Sequence, residues 1–278
     1  MKKLTVICIT YNHEPFIRNA LEGFVHQKTD FPYEVWVVDD CSTDNNQAVI
    51  KEYSLNYPDI IKPTLRNKNV GAWKNTLDTF LNVDTKYIAH CEGDDHWCNY
   101  DFVQRGLEFL EENQDCTIFA GNTIYYDHTK NEKKKLVGDI LPKPANSCFS
   151  LGNNIYLHPS ARIMRNLKPL LLGDLFTYHY LLSRGNCYYS DEIFSVYNIT
   201  GEGSYSKLSE KQQQEACWSA YYALNKHFLF KYDDYYSSFM PCQLKKYKKY
   251  FGKILGWYIF SWKRKIPKIK IIAAEVNK

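Results

Sequence analysis

The stretch YEVWVVDDCSTDNNQAVIKEY, residues 33–53, joins an apolar run to a polar segment and then to a helical pattern. The run over residues 33–40 predicts a fully buried strand. The polar segment offers Ser42, Thr43 or Asp44 as the N-cap of the helix that follows. A buried strand followed by a loop and a helix is the unit from which parallel α/β sheets are built.

The same order of elements recurs along the first half of the chain. Further strands are predicted at residues 4–12, 59–67, 86–91 and 116–126. Helical patterns follow or separate them, among them residues 72–81 and 100–113. The alternation predicts an α/β fold with a mostly parallel central sheet flanked by helices. The lysine-bearing stretch 127–150 has no clear period and predicts a loop.

Charge is distributed unevenly along the 278 residues, although the net charge is only +4. Between Tyr235 and Ala274 there are ten Lys or Arg and no Asp or Glu, so the rest of the chain is net acidic. A nucleic-acid enzyme would carry basic residues around its cleft, and the sequence therefore predicts no nucleic-acid partner.

The segment LKKYKKYFGKILGWYIFSWKRK, residues 244–265, is basic, aromatic and too short to span a bilayer. It predicts an interfacial helix through which residues 242–270 contact an anionic membrane surface. The alternative is a terminal helix docked on the protein with a solvated lysine face.

The nine cysteines are scattered without a CxxC pair, and the N-terminus lacks the apolar core of a signal peptide. We therefore expect a cytoplasmic protein, peripheral on the inner face of the cytoplasmic membrane.

The octapeptide HCEGDDHW, residues 90–97, brings three carboxylates within four residues: Glu92, Asp94 and Asp95. Like charges this close repel unless a cation lies between them, and carboxylate oxygens suit Mn²⁺ or Mg²⁺. Ligands of parallel sheets bind beyond the carboxyl ends of the strands, where this motif falls. Two alternatives are a simple turn after the strand and a zinc site, for which the His and Cys spacing is not a known pattern.

Four motifs occur in order: VICITYN, EVWVVDDCSTD, NKNVGAWKNT and EGDDHW. Together they resemble the family 2 glycosyltransferases of the GT-A fold over roughly the first 205 residues. The resemblance implies a catalytic domain at 1–205, with nucleotide-sugar binding in about 1–100 and the acceptor half in about 101–205. Residues 206–278 would form a basic, aromatic helical tail.

For activity, the resemblance implies an inverting, metal-dependent transfer from a UDP-sugar, with Mn²⁺ or Mg²⁺ as cofactor. The acceptor would be a hydroxyl of a glycan or lipid-linked molecule in bacterial surface polysaccharide or lipopolysaccharide synthesis. A nucleotidyltransferase is a rival, but it would need a glycine-rich basic loop after the first strand. A catalytically inactive, sugar-nucleotide-binding or membrane-docked scaffold is another.

The resemblance also assigns roles to single residues. Asp39 would bond the uracil, Asp94 would lie near the ribose, and Asp95 would bind the metal. Asp40 would organise its loop. The other nucleotide-binding positions implied are Thr10, Tyr11, Asn12, Arg66, Asn69, Gly71, Lys74 and Glu92.

In the second half, Asp174 falls on the Gly-Asp that opens a helix in many relatives and is expected to be the general base. An aspartate at that place is also a good N-cap, and both roles can coexist. His158 is a candidate contact to the acceptor or the diphosphate. The chain departs from the family pattern at Asn198 and Thr200, which replace the customary arginine and histidine.

Overall fold

The computed structural model describes residues 2–134, 146–151, 157–167, 174–201, 203, 207–229, 231 and 236. Ten strands lie within these residues: β1 Leu4–Thr10, β2 Tyr33–Asp39, β3 Ile61–Leu65, β4 Tyr87–His90, β5 His96–Trp97, β6 Cys116–Asp127, β7 Glu132–Lys134, β8 Ser147–Phe149, β9 Arg162–Arg165 and β10 Asn186–Ile199. The helices are α1 Glu14–Val25, α2 Asn46–Asn56, α3 Ala72–Asn82, α4 Phe102–Glu112, α5 Asp174–Leu182 and α6 Glu210–His227.

The first half of the sheet has the predicted parallel arrangement. The strand order is β3-β2-β1-β4-β9-β6-β10-β5, and the pairs among the first four strands are all parallel. β3 contains Pro63, which has no N–H to donate to a neighbouring strand. β3 is the outermost strand of the sheet, a position where proline is tolerated. The predicted α/β class, with a central sheet flanked by helices, is confirmed.

The second half of the sheet is mixed, which the alternating pattern did not indicate. β9 is antiparallel to both of its neighbours, β4 and β6, so β6 again runs parallel to β4. β10 is in turn parallel to β6. The carboxyl ends of β1, β2, β4, β6 and β10 therefore all reach the same edge of the sheet.

The stretch 127–150 is not wholly the loop that was predicted. β7 pairs with β6 and β8 pairs with β10, both antiparallel. Strands of three residues show no period of their own, and pairing with two long strands stabilises them. Residues 135–145 lie outside the described residues.

An aromatic cluster joins α1 and α4 to the sheet. Trp97 packs edge-on against Phe24 and Phe102, with ring centroids 5.0 and 5.2 Å away, and its Nε1 donates to the Ser160 carbonyl at 2.7 Å. Phe102 also stacks on Phe194 of β10 at 4.5 Å. This packing holds β5 and β10, the last two strands of the sheet order, against α1 and α4.

The described chain divides into two compact units, residues 1–170 with 180–200, and residues 171–179 with 201–278. The first holds the whole sheet, and the division of the chain at residue 205 stays a prediction. In the second, α6 begins with a capping box in which Ser209 and Gln212 bond each other's backbone. Among the described residues, no helix has the length and hydrophobicity that crossing a membrane requires. The predicted membrane contact at 242–270 lies outside them.

We predict that Gly23→Ala destabilises the protein by about 1–3 kcal/mol through overpacking. A Cβ at Gly23 would lie 2.6 Å from the Trp97 carbonyl oxygen, which is backbone and cannot rotate away. Alanine in a helix otherwise stabilises by roughly 0.5–1 kcal/mol relative to glycine, so the sign itself is diagnostic. Urea unfolding measures the change. Asn19→Ala, at an exposed position of the same helix, is the control and should be nearly neutral; a stabilising Gly23→Ala would contradict this packing.

Candidate active site

The acidic motif lies against the end of β1 because backbone pairing continues past β4. The Cys91 N–H donates to the Ile7 carbonyl at 3.0 Å, and the Gly93 N–H to the Ile9 carbonyl at 2.9 Å. A Cβ on Gly93 would lie 2.5 Å from Thr10 Oγ1, so only glycine allows this approach. Thr10 is buried beneath the motif.

The loop after β2 is organised around Asp39, which is fully buried. Its Oδ1 accepts from the Ser42 N–H at 2.9 Å and from Gln47 Nε2 at 2.6 Å. Its Oδ2 accepts from Asn46 Nδ2 at 2.8 Å and from the Ser42 hydroxyl. These four donors match the four lone-pair positions of a carboxylate, so a base contact by Asp39 requires one of them to move.

The start of α2 lies beside the predicted residues. The residue before the helix is Asn45, without a side-chain cap bond, while Asp44 Oδ1 accepts from the N–H of Asn46, the first helical residue, at 3.1 Å. Ser42 and Thr43 bond within the loop instead. Asn12, in the left-handed region at φ 55°, links this loop to β1: its N–H donates to Ser42 Oγ, and its Oδ1 accepts from the Thr43 N–H, both at 2.8 Å. Tyr11, next to it, is exposed.

Asp40 holds the loop that precedes α3. Its two carboxylate oxygens accept from the N–H groups of Val70 and Gly71 at 2.8 and 2.9 Å. Gly71 has φ 84°, a conformation that favours glycine, and its N–H also meets Asn69 Oδ1 at 3.0 Å. The loops after β2 and before α3, which carry residues predicted to bind the nucleotide, thus lie together at the edge beside Thr10.

The two basic candidates, Arg66 and Lys74, both face Asp78 of α3. Lys74 Nζ lies 2.7 Å from Asp78 Oδ2 and is exposed, while an Arg66 terminal nitrogen lies 3.8 Å from the same oxygen. Arg66 Nε also donates to Asn75 Oδ1 at 2.6 Å. Either cation must leave Asp78 to contact a phosphate.

Asp94 and Asp95 lie in a turn that the Asp95 N–H closes by donating to the Glu92 carbonyl at 3.1 Å. The backbone therefore forms the turn that was one alternative for this motif. Asp94 Oδ2 lies 3.7 Å from His13 Nε2; its Oδ1 is buried and meets no hydrogen-bond donor in the described part of the chain. Asp95 is 3% exposed, accepts the Asn198 N–H at 3.1 Å, and lies 3.8 Å from His158 Nδ1.

Burial raises the pKa of Asp95 well above its ordinary value, and the charges of Asp94 and Glu92 raise it further, while the Asn198 bond opposes the shift. Burial, with the three acids as the next causes, also raises the pKa of Tyr197. Burial and the neighbouring acids thus both disfavour the ionised form of Asp95, and a cation beside it would offset that effect. Within the described ranges, no three His, Cys, Asp or Glu side chains converge on one point. A cation here would be bound by one or two carboxylates, with substrate oxygens and water completing its shell.

His158 is fixed by its neighbours. Its Nδ1 lies 2.7 Å from Ser160 Oγ, which bonds Ser195 Oγ at 3.0 Å, and Tyr197 packs on its ring at 4.3 Å. The ring thus borders Asp95 from the side of β10. Asp174 is the first residue of α5 and belongs to the second unit.

Asn198 is the residue whose role the sequence did not reveal. Besides the Asp95 contact, its Nδ2 donates to the Asp94 carbonyl at 2.6 Å and its Oδ1 meets His128 Nε2 at 2.8 Å. The sequence marks Asn198 only as a departure from a family pattern. His13 and His128 carried no signal, because their contacts depend on which strands pair.

A family model described as glycosyl transferase family 2 matches residues 5–168. Over 122 residues the chain is 34% identical to dTDP-rhamnosyl transferase RfbG of Shigella flexneri, a match that covers 42% of this chain and 41% of RfbG. The chain spans about 40% of the length of the curated relatives that it matches first.

Two solved structures share the fold. TarS of S. aureus in complex with UDP-GlcNAc superposes with a TM-score of 0.62 at 20% identity, covering 86% of this chain and 71% of TarS. The mannosyltransferase PcManGT of Pyrobaculum calidifontis, in complex with GDP-Man and Mn²⁺, gives a TM-score of 0.54 at 11% identity, covering 95% and 79%.

We predict that Asp95→Asn makes the metal-free protein more stable than the wild type at pH 8. The pKa of Asp95 is raised in the folded protein, whereas in the unfolded chain it is about 4. Between these two values the folded protein keeps a proton on Asp95 that the unfolded chain has lost. The unfolding free energy of the wild type therefore falls as pH rises through that window and stays reduced above the folded-state pKa.

Urea unfolding in EDTA from pH 4 to 8 should show the gap between variant and wild type closing as pH falls. Asp40→Asn is the matched control, since it loses two charge-assisted bonds from Val70 and Gly71 and should be destabilised instead. A gap that does not change with pH would contradict the raised pKa.

Proposed function

The chain belongs to glycosyl transferase family 2, and from this premise we propose that it transfers a sugar, with inversion, from a nucleoside diphosphate donor to an acceptor hydroxyl. The observation that carries the proposal is the acid pair of half-buried Asp94 and buried Asp95 at the edge where β1 and β2 also end. Excess negative charge at that edge has a use if a cation and a diphosphate bind there together.

We take the donor to be a UDP-sugar. The TarS structure contains UDP-GlcNAc, whereas PcManGT contains GDP-Man and RfbG is named for dTDP-rhamnose, so the fold accepts several bases. The pocket would be formed by Thr10, Tyr11 and Asn12 after β1 and by Asp39 after β2. The Asp39 carboxylate would exchange the Gln47 amide or the Ser42 hydroxyl for the base N–H.

Asp95 would bind Mn²⁺ or Mg²⁺, with Asp94 beside it and Glu92 near the exposed rim. The buried, unpartnered Asp94 Oδ1 and the raised pKa of Asp95 fit such an ion. When bound, a divalent ion neutralises the charge that develops on the departing diphosphate. The protein's own part is to hold both carboxylates rigidly and to exclude water from Asp95.

Asp174 would take the proton of the acceptor hydroxyl as it attacks the anomeric carbon. At the first position of α5 the helix dipole keeps a carboxylate ionised, as a base requires. Inversion follows if the base and the diphosphate lie on opposite faces of the sugar. His158 would contact the acceptor or the diphosphate from beside Asp95.

For the acceptor, we propose a glycan or a lipid-linked molecule in bacterial surface polysaccharide synthesis. The curated description of TarS as a poly(ribitol-phosphate) β-N-acetylglucosaminyltransferase supports such a role by likeness. An acceptor anchored in lipid would also give the basic segment 242–270 its purpose, holding the enzyme at the inner face of the cytoplasmic membrane.

We predict that UDP-sugars release UDP in the presence of Mn²⁺ or Mg²⁺ and not in EDTA, in a screen that also includes dTDP- and GDP-sugars. Asp95→Ala should lose about 100-fold or more in turnover, because it removes charge that stabilises the ion. Asp174→Asn should lower kcat about 100-fold or more while donor binding is kept, as expected for a general base.

Asp84→Asn, an exposed acid that precedes β4 and so lies at the opposite end of that strand from the motif, is the control and should behave as the wild type. Ordinary turnover by Asp174→Asn would move the base elsewhere. Tight Mn²⁺-dependent UDP binding without turnover on any donor or acceptor would favour an inactive scaffold. Release of pyrophosphate from UTP and a sugar 1-phosphate, with no release of UDP from UDP-sugars, would favour a nucleotidyltransferase.

We predict that the full chain sediments with vesicles containing anionic lipid at low salt and is released at high salt, because surface charges are screened. A variant with Lys245, Lys246, Lys248 and Lys249 changed to Gln should bind less. Neutral vesicles are the control. If the variant binds as well as the wild type, or if the wild type does not bind, the alternative of a terminal helix docked on the protein is favoured.

A further inference from the structure

One residue at the end of β10, Asn198, contacts the acidic motif at two points and His128 at a third. The Asn198 N–H donates to Asp95 Oδ1, and its Nδ2 to the Asp94 carbonyl oxygen, at 3.1 and 2.6 Å. Its Oδ1 lies 2.8 Å from His128 Nε2. Asn198 is 6% exposed, so water competes little for these bonds.

The bonds define the orientation of both side chains. A carbonyl oxygen only accepts, so the atom that faces Asp94 is the amide nitrogen of Asn198 and the atom that faces His128 is its oxygen. His128 must therefore carry its proton on Nε2. The His128 ring packs against Phe16 and Tyr126, with centroids 5.1 and 4.7 Å away. The backbone N–H of His128 donates to the Ile199 carbonyl at 3.0 Å.

The anchoring opposes a force that the motif creates itself. Glu92, Asp94 and Asp95 repel one another, and opening the turn that holds them would relieve the repulsion. Asn198 fixes the carbonyl of one aspartate and the carboxylate of the next, which keeps the two carboxylates in one relative orientation. Groups that orient metal ligands in this way commonly change affinity 10- to 100-fold when removed.

We propose that Asn198 and His128 form a positioning pair that holds Asp94 and Asp95 in the geometry that binds a divalent cation and a diphosphate. The proposal rests on the proposed function and deepens it, since neither residue contacts the reacting atoms. It also gives a purpose to the chain's departure from the family pattern at Asn198. Through the pair, β6 and β10 of the second half of the sheet control the acids that follow β4.

The test is calorimetric titration of MnCl₂ into the full chain with saturating UDP, on four variants. His128→Phe and Asn198→Ser should weaken Mn²⁺ binding about 10-fold or more. His128→Gln, whose amide N–H can replace Nε2–H, should stay within about threefold. The double variant His128→Phe/Asn198→Ser should be no weaker than Asn198→Ser, because the two residues act as one unit.

Each other outcome overturns the proposal. If His128→Phe lowers the melting temperature but leaves the Mn²⁺ dissociation constant unchanged, the pair is merely structural. If wild-type His128 proves protonated on Nδ1 by nitrogen NMR, the bond to Asn198 has the wrong donor. If the wild type itself binds no Mn²⁺ with UDP, the proposed function fails as well. If the wild type binds Mn²⁺ and the variants bind it equally well, only the positioning pair is overturned.

Discussion

The repulsion among Glu92, Asp94 and Asp95 is the constraint that the rest of the site depends on. A chain can hold three carboxylates within four residues only if their backbone is fixed and a positive charge is supplied. Backbone pairing with β1 provides one anchor and Asn198 the other. Burial first, and then the charges of Asp94 and Glu92, raise the pKa of Asp95 and so disfavour its ionised form, which a cation beside it would favour.

The topology of the sheet makes those anchors possible. One antiparallel strand, β9, lies between β4 and β6, and it restores the parallel direction of β6 and β10. The carboxyl ends of both strands therefore reach the edge that β1, β2 and β4 already share. Because the two antiparallel pairs of β9 cancel, β10 runs in the direction of β4 and its carboxyl end brings Asn198 to Asp95.

The sequence predicted the features that local pattern encodes. Buried strands ending in polar residues located β1, β2 and β4, and the spacing of acids marked Asp94 and Asp95 as a candidate site. It did not predict the mixed half of the sheet, because strand direction depends on contacts between distant segments. The same reason hid His128 and the three-residue strands β7 and β8. At the start of α2 several polar residues in succession could cap, and the sequence did not choose among them: Asp44 bonds the first helical N–H, whereas Ser42 bonds Asp39.

The central claim is that a divalent cation and a diphosphate bind together at the acidic motif. The most direct measurement is the anomalous scattering of manganese in crystals grown with MnCl₂ and UDP. We expect one strong peak within coordination distance of an Asp95 carboxylate oxygen, with diphosphate oxygens completing the shell. A diphosphate bound out of reach of residues 92–95, or manganese bound elsewhere with UDP, would contradict the account.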